Sequence, residues 1–319
     1  MKRSSVKRIG LVAGFWVASL IGAEVYLRRS VPHCGVTPFR LTQYEGLSAE
    51  LRPGFSTLYK GHQVSINSSG YRGPEIQEKT EGVKRIAVLG DSFVFGNSLA
   101  LDDTLPMCLG REMDGAEAVS FGVPGYTAGN VAAVLERDAL AHDPDVVLYA
   151  FYCNDHLPSS QWKEIPEDAV IDGMHGFPLH SALAQWLNVQ VKFSALRLFG
   201  LQLARRTSKS SEAAWREGGR ERVKAALLKM KALCSSAEIP LVVCIYPNLT
   251  FVGKNPFRPF DDGMLELCAE LEIECHDLLG AFPGEVDLLV YWAGVFDSHP
   301  NGECNQRVAE FLAPILNRL

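Results

Sequence analysis

The feature that most constrains the fold is a run of four apolar residues, 86–89, that leads directly into Gly90, Asp91 and Ser92. A short apolar run that ends at a glycine is typical of a buried parallel strand followed by a turn. In open α/β sheets, functional groups lie at the carboxyl ends of the strands. Ser92 is therefore a candidate nucleophile, provided that a base can reach its hydroxyl. The alternative is that Asp91 or Ser92 only caps the following helix.

Strand-like and helix-like segments alternate from residue 83 onward, which is typical of a parallel sheet with helices on both faces. Five segments predict strands: 85–89, 118–121, 146–151, 241–245 and 273–277. Five predict helices: 105–113, 128–141, 213–235, 262–271 and 303–316. Because right-handed crossovers bring the carboxyl ends of such strands to one edge, we expect Ser92, Gly125 and Asn154 to converge there.

The composition is that of a packed globular protein, with 319 residues, 47% hydrophobic and 21% charged. A net charge of −6, with no long basic run, argues against nucleic-acid binding. No zinc-ligand spacing and no phosphate-binding glycine motif is found, so we expect no metal and no cofactor. The eight cysteines include no Cys-x-x-Cys pair. Some could oxidise in an exported domain, whereas Cys153 and Cys244 lie in predicted buried strands and are expected to be inert thiols.

The N-terminal segment predicts export. Residues 1–8 form a basic stretch that we expect in the cytosol, and residues 9–27 form an apolar segment of 19 residues. As a helix, that segment would be ~28 Å long, close to the ~30 Å thickness of a hydrocarbon core. We predict an uncleaved transmembrane signal-anchor, with the rest of the chain outside the cytoplasm, in the periplasm or the extracellular space. The competing prediction is a cleaved signal peptide, although a good cleavage site is missing.

Two further regions lie outside the predicted sheet. Residues 28–82 predict a linker and a small β-like extension, because prolines break helices there and residues 63–67 alternate polar with apolar. Arg72 in this extension could hold a substrate anion, but packing of the extension on the main sheet is the favoured interpretation. Residues 156–212 interrupt the strand–helix alternation. A helical pattern over 179–206 predicts either a lid or, preferably, a helix packed on the sheet.

Three later segments join residues 90–92 to make a set of four: Phe-Gly-Val-Pro-Gly-Tyr-Thr at 121–127, Phe-Tyr-Cys-Asn-Asp at 151–155, and Phe-Asp-Ser-His-Pro-Asn at 296–301. In this order they resemble the four blocks of the SGNH (GDSL-type) hydrolases. The stretch Asn-x-x-Gly-Tyr-Arg-Gly at 67–73 resembles that of membrane-anchored bacterial members. The resemblance covers residues 83–319 with an insertion at 156–212. It implies a three-layer, flavodoxin-like sandwich around a parallel five-stranded sheet.

The resemblance also implies roles for individual residues. Ser92 would be the nucleophile, His299 its general base, and Asp297 the acid that orients the imidazole. The family usually spaces the acid and the histidine as Asp-x-x-His, which would place the acid at position 296, occupied here by Phe. Either Asp297 serves at the tighter spacing, or the site works as a Ser–His dyad helped by a backbone carbonyl.

An oxyanion site is implied by the same blocks. Its donors would be the backbone N–H groups of Ser92 and Gly125 and the side-chain amide of Asn154, with Gly122 as the alternative to Gly125. A glycine backbone can approach a substrate closely, and an asparagine amide donates without carrying charge. The family usually has Gly-x-Asn-Asp here. This chain has a tyrosine in place of that glycine, so we expect a bulkier pocket wall, and we expect Asp155 to hold the loop.

We therefore expect a serine hydrolase of the esterase, lipase or deacetylase type that cleaves an oxygen ester through an acyl-enzyme. The expected substrate is a small-molecule, carbohydrate or lipid ester. Two alternatives remain open. One is an O-acyltransferase with a carbohydrate acceptor, and the other is a non-catalytic binding protein with the same fold.

Overall fold

The computed structural model describes residues 3–30, 37–161, 183, 213–250, 255, 257–284, 287–294 and 297–319. Apart from residues 156–161 and 183, the predicted insertion 156–212 lies outside these residues. Position 296 lies outside them as well.

Helix α1 comprises Arg3–Ser30, in the segment where the sequence predicts one. Within the residues described, no helix combines the length and the apolar character needed to span a bilayer. The membrane span predicted at 9–27 is therefore not supported.

The predicted extension contains two small antiparallel pairs of strands. Strand β1 (Phe39–Arg40) pairs with β2 (Glu50–Leu51), and β3 (Ser56–Tyr59) pairs with β4 (His62–Ser65). The β3–β4 turn is formed by Lys60 and Gly61, both with positive φ, at 49° and 88°. Two consecutive positive φ values suit a two-residue hairpin because they match the twist of the flanking strands. Buried side chains of the extension join the main core, as the favoured interpretation expects.

The main sheet has five parallel strands, as predicted. They are β5 (Lys84–Gly90), β6 (Ala116–Gly122), β7 (Val146–Phe151), β8 (Leu241–Ile245) and β9 (Glu274–Asp277). Their order is β6-β5-β7-β8-β9. In this register Gly90 lies beside Gly122 on one side and beside Ala150 on the other. The order thus brings the carboxyl ends of the first three strands together at one edge.

The helices that follow these strands are α2 (Ser92–Phe95), α3 (Leu105–Glu112), α4 (Ala128–Arg137), α5 (Arg220–Ser236), α6 (Arg258–Glu270) and α7 (Gly302–Asn317). Alternate strand residues face opposite sides of the sheet. Ile86 and Val88 pack with α3 and α7, whereas Ala87 and Leu89 pack with α4, α5 and α6. The protein therefore has the predicted three-layer α/β fold, with helices on both faces of the sheet.

Three helix boundaries differ from the prediction by more than one residue, and one of them is the start of α6, at Arg258 rather than at residue 262. Helix α4 ends at Arg137, and a separate 3₁₀ turn, Ala139–His142, follows it. Helix α5 begins at Arg220 because Gly218 has a φ of 104°, which breaks the helix into a wide turn over Trp215–Gly219. Glycine adopts that conformation without steric cost.

Gly122 controls the close packing of α2 on the sheet. A Cβ added there would lie 2.5 Å from the backbone nitrogen of Phe95 and 2.7 Å from Cβ of Val94. We predict that Gly122→Ala lowers the free energy of unfolding by ~2–3 kcal/mol, because backbone atoms of α2 would have to move. Gly110→Ala is the control, since the nearest atom to its Cβ would be 3.9 Å away. Denaturant unfolding would contradict the prediction if both variants were as stable as the wild type.

Candidate active site

Ser92 is placed by the junction of β5 and α2. Asp91 is the N-cap of α2, and its Oδ1 accepts the backbone N–H of Phe93 at 2.9 Å. The hydroxyl of Ser92 lies 3.3 Å from Asp91 Oδ2. Asp91 thus caps α2, as one of the two interpretations of residues 90–92 expects. The side chain of Ser92 is not needed for the cap and lies at the carboxyl end of β5.

His299 reaches Ser92 across 207 residues of sequence, with Nε2 at 2.8 Å from the hydroxyl oxygen. The segment before α7 fixes this position. The backbone carbonyl of His299 accepts the N–H of Ala293 at 2.8 Å. Asn301 then caps α7 by accepting the N–H of Cys304 at 2.9 Å. The contact that the sequence analysis expects between these two side chains is therefore present.

Asp297 makes two contacts with His299 through a single oxygen. Its Oδ1 is hydrogen-bonded to Nδ1 of the ring and also accepts the backbone N–H of His299 at 3.1 Å. The second bond closes a turn in which an aspartate side chain binds the backbone two residues on. This turn brings the carboxylate to the ring at the Asp-x-His spacing. The structure thus has the geometry of the first alternative, in which Asp297 orients the histidine.

The other oxygen of Asp297 is also bound. Oδ2 accepts the hydroxyl of Ser98, and Nζ of Lys60 lies 3.8 Å away. Burial by itself would raise the pKa of Asp297, but His299, Lys60 and Ser98 outweigh it and hold that pKa well below its usual range. Asp297 is therefore a carboxylate throughout the neutral range.

Three residues of this site, Lys60, Asn97 and Ser98, are not among those predicted from the sequence. Asn97 Nδ2 lies 3.3 Å from Nε2 of His299. Asn97 and Ser98 follow the Gly-Asp-Ser stretch closely, so their proximity to Ser92 could have been expected. Lys60 gives a weaker signal: Lys-Gly between two β-like segments indicates a hairpin turn, but nothing in the sequence points from that turn to residue 297.

The three predicted oxyanion donors lie at the ends of adjacent strands. Ser92 is the first residue of α2, where a backbone N–H has no acceptor within the helix. Gly125 lies in an exposed turn after β6 with a φ of 81°. Asn154 follows β7, with its Oδ1 buried and without a hydrogen-bond partner among the described residues. Gly122, the alternative donor, is the last residue of β6 and is packed against α2.

Aromatic side chains line the region beside His299. The ring of Phe93 stacks on Tyr152 with centroids 3.9 Å apart, and it lies 5.3 Å from the imidazole. The hydroxyl of Tyr152 accepts the amide of Asn248 at 3.0 Å. Tyr152 is the tyrosine from which the sequence analysis expects a bulkier wall, and its ring lies in this aromatic region.

Asp155 supports the loop after β7. Its Oδ2 accepts the hydroxyl of Tyr149 at 2.7 Å and the backbone N–H of Tyr152 at 3.2 Å. Burial and the nearby charge of Asp91 raise the pKa of Asp155 well above its usual value. Asp155 therefore holds the loop, as expected from the sequence.

Arg72 also acts on the backbone. Its guanidinium donates to the carbonyls of Phe95, Gly96 and Leu99 at 3.0, 2.6 and 2.6 Å. Burial lowers the pKa of this arginine to about 10. Arg72 thus fixes the segment that carries Asn97 and Ser98 rather than holding a substrate anion beside Ser92.

The described part of the chain was also compared with the requirements of a metal site and of a reactive thiol. No group of three or more histidine, cysteine or acidic side chains there could hold a metal. The seven described cysteines are free thiols. Burial raises the pKa of Cys153 to about 12, which disfavours the reactive thiolate.

Comparisons with known proteins find structural similarity only. No protein-family model matches the chain, and no curated protein matches it significantly. Similar solved structures include a G-D-S-L family lipolytic protein from Desulfitobacterium hafniense, with 17% identity, a TM-score of 0.43, and coverage of 73% of this chain and 99% of that one.

Two further similar structures are a lipolytic G-D-S-L family member from Veillonella parvula and the lipase Lip_vut3 from a goat rumen metagenome. The first has 13% identity and a TM-score of 0.42, covering 74% of this chain and 100% of that one. The second has 12% identity and a TM-score of 0.45, covering 73% and 97%. Such identities are too low to assign the chain to a family, so its function has to follow from the residues of the site.

Asp155 offers a test of the loop beside the site. Because burial favours its neutral form, we predict that Asp155→Asn changes the free energy of unfolding little. Asp155→Ala should lower it by ~1–3 kcal/mol, because it leaves the buried Tyr149 hydroxyl without its acceptor. Urea unfolding of both variants at neutral pH measures this. If Asp155→Asn lost as much stability as Asp155→Ala, a neutral group could not replace Asp155. The residue would then act as a carboxylate.

Proposed function

We propose that the protein is a serine hydrolase that cleaves oxygen esters through an acyl-enzyme at Ser92. The observation that carries this proposal is the 2.8 Å contact between the Ser92 hydroxyl and Nε2 of His299, whose Nδ1 is bound to Asp297. An activated serine needs a hydroxyl bonded to a base, and a base that is bonded in turn to an acid.

Acylation begins when the Ser92 oxygen attacks the ester carbonyl carbon and Nε2 of His299 takes the hydroxyl proton. The carboxylate of Asp297 keeps Nδ1 protonated and stabilises the imidazolium that forms. The carbonyl double bond opens to a tetrahedral intermediate that carries a negative oxygen. When the carbon–oxygen bond to the alcohol breaks, His299 returns the proton to the leaving alcohol.

Deacylation repeats these steps with water. His299 removes a proton from the water as its oxygen attacks the acyl carbon, and the proton then passes to the departing Ser92 oxygen. The free acid and the starting enzyme result. The negative oxygen of both intermediates would be bound by the N–H groups of Ser92 and Gly125 and by the amide of Asn154. The exposed turn at Gly125 and the position of Ser92 at the start of α2 support this assignment.

An active-site probe tests the nucleophile. We predict that a fluorophosphonate labels the purified protein and that Ser92→Ala abolishes the labelling. His299→Ala should slow it by ~10²–10⁴-fold, because the base is lost. Ser236→Ala, at an exposed residue at the end of α5, is the control and should be labelled like the wild type. Undiminished labelling of Ser92→Ala would refute the proposal.

The oxyanion site is tested by hydrolysis of a chromogenic acetyl ester. We predict that Asn154→Ala lowers kcat by ~10²–10³-fold, the usual effect of removing one such donor, with a smaller effect on KM. Asn248→Ala, which removes an amide that binds Tyr152 behind the site, is the matched control and should retain most of kcat. Equal losses in both variants would argue against an oxyanion role for Asn154. Acyl transfer to an added sugar in preference to water would contradict the hydrolase assignment.

A further inference from the structure

Lys60 occupies an unusual position for a lysine. It lies at the tip of the β3–β4 hairpin, far from Ser92 in sequence, and its side chain is only 3% exposed. Lysine is rarely buried to this degree unless its charge is paired. Lys60 forms an ion pair with Asp297, whose Oδ2 lies 3.8 Å from Nζ.

The two oxygens of Asp297 have separate functions in this arrangement. Oδ1 binds the ring and backbone of His299, whereas Oδ2 faces the Ser98 hydroxyl and Lys60. A cation at Oδ2 competes with the imidazole for the negative charge of the carboxylate. A carboxylate held on both sides also has little freedom to rotate away from the histidine.

Other charged groups on α2 and in the N-terminal extension have partners of their own. Asp91, on the α2 side, contacts the Ser92 hydroxyl and the backbone of Phe93. Arg72 is committed to three backbone carbonyls of the segment after α2. Burial and then the charge of Arg72 lower the pKa of His62, on the same hairpin as Lys60, whereas Asp103 opposes the shift.

We propose that Lys60 is a positioning residue that holds Asp297 against His299 and sets the base strength of the pair. This inference rests on the proposed function and deepens it, because it makes the N-terminal hairpin part of the catalytic unit. Lys60 contacts no reacting atom and acts only through Asp297. Its positive charge reduces the stabilisation that Asp297 gives to the imidazolium. His299 therefore releases its proton at a lower pH than it would beside Asp297 alone.

The test compares Lys60→Met and Lys60→Arg with the wild type. For Lys60→Met we predict a rise of ~0.5–1 unit in the pH at which the acid limb of kcat/KM reaches half its maximum, because an uncompensated carboxylate holds the imidazole proton more tightly. We also predict a loss of ~10-fold in kcat with little change in KM, because Asp297 is less well fixed. Lys60→Arg keeps the positive charge, so its acid limb and its kcat should stay close to those of the wild type.

Lys79→Met is the matched control. Lys79 is paired with Asp145 at 2.7 Å, away from Ser92 and His299, so its removal breaks a similar ion pair without touching the site. We expect it to leave the pH profile unchanged. A general loss of stability would move the melting temperature of a variant but not its acid limb. An unchanged acid limb in folded Lys60→Met would overturn the inference.

A measurement that needs no activity separates this inference from the proposed function. The ring protons of His299, assigned with His299→Gln, can be titrated by NMR in the wild type and in Lys60→Met. An upward shift of the midpoint supports the role of Lys60 even if Ser92 proves unreactive, and an equal midpoint refutes it. If Lys60→Met fails to fold, Lys60→Gln, which keeps a hydrogen-bond donor without the charge, takes its place. The shift should disappear when Asp297→Asn is added to both proteins.

Discussion

The close approach of helix α2 to the ends of strands β5 and β6 is the constraint on which the site depends. At Gly122 a single Cβ would meet the backbone nitrogen of Phe95 at 2.5 Å, so α2 can lie there only because that side chain is missing. Gly90 is under the same restriction, since a Cβ would lie 2.6 Å from Val94. These contacts set where the first turn of α2 begins, and they set the position of the Ser92 hydroxyl. A hydroxyl carried on a packed strand–helix junction keeps its position better than one on a free loop.

The charge arrangement around Asp297 explains how the short Asp-x-His spacing can work. One oxygen binds both the ring and the backbone of His299, so the turn itself aligns the two side chains. Burial opposes the ionised form, but the cation of Lys60 and the Ser98 hydroxyl stabilise it on the other side. A buried carboxylate with both of its oxygens bound has little freedom to move, whereas one left unpaired would take up a proton or turn toward water.

Much of the sheet could be predicted from the sequence because its three central strands, β5, β7 and β8, are buried and appear as nearly continuous apolar runs. Strands β7 and β8 have the predicted bounds, and the others differ by at most two residues. The contact between Ser92 and His299 was expected from the four sequence motifs and their order along the chain. Lys60 could not be found in this way, because its role arises from the packing of a hairpin on a loop 237 residues later. The location outside the cytoplasm remains a prediction from residues 1–27.

The N-terminal extension is bound to the site at two independent points. Arg72 holds the carbonyls of the segment that presents Asn97 and Ser98, and Lys60 reaches the carboxylate of Asp297. An extension that served only as a linker to the α/β domain would need neither contact. Burial of two cations would not be expected in such a linker. Burying a lysine and an arginine costs free energy that is recovered only while their partners stay in place. Loosening the extension would therefore release the loop after α2 and Asp297 together, so the geometry of the histidine depends on residues that precede the α/β domain.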